Sequence, residues 1–139
     1  METVDVNYLA VLIAGIASMV IGGLWYSPIL FGKQWMALMG ITPEKIAESK
    51  GKGMAKLYAM NFVAALLMAC VLARFAGLLG VSNASSALQL GFWVWIGFIA
   101  TVMIGSVLWE SKPWKLYFIN VSYQLVNLLV TVLIVGLWK

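Results

Sequence analysis

Hydrophobic and polar positions along the chain alternate in blocks: four long apolar runs are separated by short polar segments. The first, residues 8–26, holds no charge and is about 19 residues long, close to the roughly 20 that an α-helix needs to cross a 30 Å hydrocarbon core. The second covers 54–79 with Arg74 near its far end, the third 87–108 and the fourth 116–138, the last two again without charge. Between the first and second runs lies one sizeable loop. Ser27 and Pro28 suit the N-cap and N1 positions of a new helix, so the chain is expected to break there. Phe31, Trp35, Leu38 and Met39 then recur at i, i+4, i+7 and i+8, the apolar stripe of an interfacial helix, and Gly40 is a suitable C-cap. Thr42-Pro43-Glu44 opens a short polar helix that Gly51 and Gly53 would end. Residues 80–86 form an uncharged, turn-rich connection that predicts antiparallel neighbours in the second and third runs. The expected fold is all-α, one polytopic integral membrane domain over residues 1–139. It comprises four transmembrane helices, with a short interfacial helix and a small polar helix between the first and second.

Composition sharpens this reading. Of 139 residues 63% are hydrophobic and 10% charged, whereas soluble domains hold about 45–50% and about 25%. A soluble chain this short could not bury so much apolar surface, so the lipid bilayer is the expected partner. The net charge of +4 would suggest nucleic acid, but most lysines stand in loops beside apolar runs, where they act as topology signals. No nucleic-acid partner is expected. With four crossings, Lys33, Lys45, Lys50, Lys52, Lys56, Lys112 and Lys115 share one side, and only Arg74 and Lys139 the other. The lysine-rich side is expected to be cytoplasmic, with both termini outside the cytoplasm. Glu2 and Asp5 precede the first run where a secretory signal would be basic, so that run is read as a mature helix. The same two acids are the only ones near Arg74, and either an ion pair or a snorkelling arginine fits.

Cys70 is the only cysteine and there is no histidine. Intrachain disulfides, Cys/His zinc sites and Ser-His-Asp or Cys-His catalysis are therefore excluded. No catalytic residue, metal or cofactor is expected.

Three runs carry small residues at every fourth position, a spacing that lets helix backbones approach within a membrane. These are Ala10, Ala14, Ser18 and Gly22; Ala65, Ala69, Ala73 and Gly77; and Gly97, Thr101 and Gly105. Their partner can be a helix of the same chain or of another copy. The fourth run differs, because Asn120, Gln124, Asn127 and Thr131 place amides and a hydroxyl on one face for about three turns. An unpaired amide in hydrocarbon costs a few kcal/mol, so this face must meet polar groups or water. Asn61, Ser18, Thr101, Ser106 and Tyr123 are the available partners, and the face serves either as interhelical contact or as a polar pathway. Glu110 reads as a salt-bridged interfacial acid near Lys112 and Lys33. A proton-coupled antiporter of the small multidrug-resistance type would need a carboxylate inside the first helix, and there is none.

The run Trp25-Tyr26-Ser27-Pro28, then Phe31-Gly32-Lys33 and Trp35, is the most specific stretch of the chain. With Gly97-Phe98, Trp109-Glu110-Ser111-Lys112, Trp114-Lys115-Leu116, Ile119-Asn120 and Tyr123, it resembles the uncharacterised bacterial family catalogued as domain of unknown function 1761. The likeness spans essentially the whole chain. That family would put Glu-Gly-Arg where this chain has Glu110-Ser111-Lys112, a departure that keeps the charge but loses the bidentate fork of arginine. The resemblance implies a small integral membrane protein of bacteria and brings no activity, substrate or cofactor; the expected location is the bacterial cytoplasmic (inner) membrane. The reading is a homo-oligomeric structural or regulatory membrane component, with a small-solute channel or transporter using the polar face as the alternative. An enzyme is not expected, and the residues specify no small-molecule ligand.

Overall fold

The computed structural model describes residues 4–42, 44, 45 and 53–138. Five helices carry the fold: α1 (Tyr8–Trp25), α2 (Gly32–Met39), α3 (Met54–Leu78), α4 (Ala84–Leu108) and α5 (Trp114–Leu137). No strand occurs among the described residues. α1, α3, α4 and α5 are each long and apolar enough to cross a membrane. Asn7 caps α1, its side chain accepting from the N–H groups of Leu9 and Ala10 at 3.0 and 3.3 Å. Thr42 Oγ1 accepts from the Lys45 N–H at 3.3 Å, as the cap of the polar helix should, and Glu44 and Lys45 are helical. The rest of that helix, with Lys50, Gly51 and Lys52, lies outside the described residues.

α5 is the centre of the bundle, packing along α1, α3 and α4 alike, while α4 has α5 as its one extended partner among the described residues. Small residues set these distances. A Cβ added at Gly15 would stand 2.7 Å from Leu66 Cδ2, and one at Gly91 3.0 Å from both Leu129 Cδ2 and Val132 Cγ1. α1 therefore lies close on α3, and α4 close on α5. The main core gathers Ala10, Val11 and Ala14 of α1, Ala69, Leu72 and Ala73 of α3, and Leu128 and Val135 of α5. At the end away from the lysines, Ala76, Val81, Ala87 and Val132 close a second cluster.

Several sequence expectations change here. α4 begins at Ala84, earlier than residue 87, because Asn83 and Ser86 form a capping box: Asn83 Oδ1 accepts from the Ser86 N–H at 2.8 Å, and Ser86 Oγ from the Asn83 N–H at 3.3 Å. α5 begins at Trp114 behind Pro113, two residues before the expected start. α3 and α4 are neighbours only near their loop, where Ala76 and Ala87 are small. Further along, Met68, Phe98 and Met103 stand between them, and an open groove of about 240 Å³ separates the helices. Nor does Ser27 cap a following helix. Its Oγ donates back to the Leu24 carbonyl at 2.7 Å and its own carbonyl accepts from Leu30 and Gly32, closing a turn, so α2 starts only at Gly32.

α4 is not a uniform helix. Trp95–Ala100 is π-helical, a wider turn that redirects the side chains following it. On that segment the Trp95 indole donates to the Val121 carbonyl at 2.8 Å and the Tyr117 hydroxyl to the Ala100 carbonyl at 2.8 Å, fastening α4 to α5.

Candidate functional site

The residues of the specific run converge on the start of α5. Gly32 allows it: a Cβ there would fall 2.4 Å from the Tyr26 carbonyl oxygen and 2.6 Å from the Ser27 carbonyl, so the turn folds tightly enough only without a side chain. With the turn closed, Trp25 and Tyr26 face α5. The Trp25 indole donates to the Ile119 carbonyl at 3.0 Å, and the Tyr26 hydroxyl to Asn120 Oδ1 at 2.7 Å. Rings fill the space between these bonds. Trp25 packs on Phe31 at 4.9 Å between centroids, and Tyr26 meets Trp35 at 5.4 Å and Tyr123 at 5.3 Å, both edge to face. Gly22 leaves room for Tyr123, whose hydroxyl would lie 3.0 Å from an added Cβ. The stretch around Trp25 and the stretch around Asn120, far apart in sequence, thus form one junction that ties α1, α2 and α5 together. Ser27, Pro28 and Gly32 shape it. Lys33 is exposed on α2 and takes no part in the ring contacts.

Beside the junction α1 and α3 diverge and open a cleft of about 510 Å³. One wall is the aromatic row of Trp35, Tyr26 and Tyr123; facing it on α3 are Met54, Tyr58 and Asn61. Met19, Gly22 and Gly23 of α1 complete it, so the lining carries no charge among the described residues. Asn61 bonds across the cleft to Met19, Nδ2 to Sδ at 3.4 Å. Sulfur is a weak acceptor. Sequence reasoning missed Tyr58 and Met19; the available signal was Tyr58 lying three residues before Asn61, on the same face of α3.

The expected polar face of α5 is divided among different surroundings. Asn120 belongs to the junction through Tyr26. Asn127 is buried and its Oδ1 has no hydrogen-bond partner among the described residues, while its backbone carbonyl accepts from Thr131 Oγ1 at 2.7 Å, also buried. Gln124 lines the open groove between α3 and α4, where every other lining side chain is apolar, and it makes no hydrogen bond among the described residues. Asn61 and Thr101 do not serve this face. Asn61 turns to Met19, and Thr101 bonds back to the Gly97 carbonyl at 2.7 Å, a local satisfaction open to any helical threonine.

Glu110 and Lys112 stand exposed on the α4–α5 turn, and among the described residues Glu110 pairs with neither Lys112 nor Lys33. The turn is closed by its backbone instead. The Lys112 N–H bonds to the Ser106 carbonyl at 3.0 Å and Ser111 sits at φ +58°, leaving both charged side chains in solvent, where an ion pair contributes little. Arg74 is likewise exposed and forms no ion pair with Asp5. Among the described residues no group of acids and cysteine is placed to hold a metal ion.

Four apolar spanning helices, three of them packed around the central α5, with an aromatic junction at one end, define a multi-pass α-helical membrane protein. The family described as Protein of unknown function (DUF1761) matches residues 9–136, and the chain belongs to that family. No curated protein and no solved structure matches it.

Proposed function

We propose that the protein is a homo-oligomeric component of a bacterial cytoplasmic membrane with a structural or regulatory role, assembled through the open side of the bundle. The supporting observation is Gln124, an amide in an otherwise apolar groove whose side chain makes no hydrogen bond among the described residues. It stands ten residues from the start of α5, about 15 Å along the helix and so well inside the hydrocarbon. An unpaired amide at that depth costs a few kcal/mol. A second copy removes the cost, because a primary amide both donates and accepts and can pair with its own symmetry mate across a two-fold axis. Gly97, with nothing within 4 Å of an added Cβ, supplies a place on α4 for close approach. Fluorescently tagged protein diluted into liposomes should bleach in two or more steps per spot, and Gln124→Leu should shift the distribution towards one. Single-step bleaching of the unaltered protein would end this reading.

The lysine-rich end is assigned to the cytoplasm and both termini to the outside, on the excess of lysines at the loops. Alkaline phosphatase fused after Lys139 should be active and green fluorescent protein dark; the opposite pair of signals would reverse the orientation.

A channel or transporter using α5 is the second reading, favoured by the unpartnered Asn127 Oδ1. It finds less support, because the apolar cluster of Ala10, Ala14, Ala69, Leu72 and Leu128 packs the bundle interior. Cysteines placed at 124 and 127 in a Cys70→Ala background separate the two readings. Fast labelling of both by a charged thiol reagent would favour a wet path, and no labelling a dry contact.

A further inference from the structure

The cleft between α1 and α3 has a chemistry that the assembly reading does not use. We infer that it binds an uncharged, membrane-dissolved aromatic compound bearing a carbonyl or hydroxyl group, with the ring against the Trp35–Tyr26–Tyr123 wall and the oxygen on Asn61. Three observations lead there. The cleft holds about 510 Å³, room for a ring system with a short substituent, and among the described residues no charged side chain lines it. That lining offers a charged ligand no counter-ion, whereas a neutral one keeps its desolvation cost small. The wall is a continuous row of rings, with Tyr26 touching Trp35 on one side and Tyr123 on the other, a surface suited to offset or edge contacts with another ring.

The third observation is Asn61. It lies seven residues into α3, about 10 Å along the helix from its start. Its only hydrogen bond among the described residues is to the Met19 sulfur at 3.4 Å, so its Oδ1 and one N–H remain for a better partner. Lipid headgroups stay nearer the membrane surface, and an alkyl chain offers the amide nothing. A ring oxygen answers both demands, apolar bulk for the methionines and a hydrogen bond for the amide. Tyr58, across from the wall, provides a hydroxyl within the same lining.

The experiment is calorimetric titration of the full chain in lipid nanodiscs with two probes, a fully substituted benzoquinone carrying a decyl chain and 4-nonylphenol. At least one should bind saturably, one per chain. Asn61→Leu, at an exposed position, should weaken it at least tenfold. Gly23→Leu should abolish binding by filling the cleft, since nothing stands within 4 Å of the Cβ it adds and the bundle tolerates it. Gln124→Leu, outside the cleft, should leave the affinity unchanged whatever it does to assembly, so this test fails or succeeds apart from the oligomer. Absence of saturable binding by either probe overturns the inference, as does an affinity indifferent to Asn61→Leu. Equal competition by dodecanol would make the cleft a seat for lipid chains, and stronger binding of tetraphenylphosphonium would make it a cation cage; either result also overturns it.

Discussion

α1 and α4 carry the same signature, small residues at every fourth position, and put it to opposite use. In α1, Ala10, Ala14 and Ser18 are buried against α3 and α5, and neighbouring Gly15 is closed over by Leu66. In α4, Gly97 faces open space, Thr101 is exposed, and Phe98 and Val102 beside them are each almost three-quarters exposed. The pattern therefore reports that a backbone can be approached, and the partner is decided elsewhere. For α1 it is decided by the junction: Trp25 and Tyr26 bind α5 and draw the helix into the bundle. α4 is held by its other side, through Trp95 and Tyr117, so its small face is left outward.

Substitutions can break this contrast. The largest effect is expected at Gly32→Ala, where the added methyl meets backbone that cannot move aside; the loss should be about 3 kcal/mol, the upper part of the range for overpacking, read as thermal stability in detergent. Next comes the matched pair Ala14→Leu and Gly97→Leu. The first should cost about 1–3 kcal/mol, while the second should leave protomer stability within about 0.5 kcal/mol, as at ordinary surface sites. Equal losses at both would erase the distinction between an inward and an outward seam.

The spans and the loop positions were readable from the apolar blocks because bilayer thickness dictates helix length and because Gly40 and Thr42 act locally as caps. The junction was visible only as two unconnected motifs. Nothing in the spacing of Trp25-Tyr26 and Ile119-Asn120 says that an indole and a phenol will find a carbonyl and an amide so far along the chain. The polar face of α5 was misjudged as one surface for a related reason. Asn120, Gln124 and Asn127 share a helix face, but α1, α3 and α4 cover it unevenly, so one amide is bonded, one lies half-buried along a groove and one is buried. Periodicity gives a direction from the helix axis, and tertiary packing decides what stands there. The π-helical turn in α4 left no trace in the pattern either, since it shifts register within a run that is apolar on every side.

A smaller effect is expected at the α4–α5 turn. Ser111 holds a left-handed φ of +58°, a conformation that glycine adopts without the Cβ penalty. Ser111→Gly should raise stability by about 0.5–1 kcal/mol, the relief of strain exceeding the added freedom of the unfolded chain. A lower melting temperature would mean that the Ser111 side chain contributes more to the turn than its backbone strain costs.

In the assembly proposed above, α4 presents its small face to another copy while α1 keeps its own inside. Cysteine cross-linking in native membranes tests this most directly. In a Cys70→Ala background, Thr101→Cys should give a disulfide-linked dimer on mild oxidation, and Ala14→Cys, sealed within the bundle, should stay monomeric. A dimer at position 14, or none at 101, would contradict it.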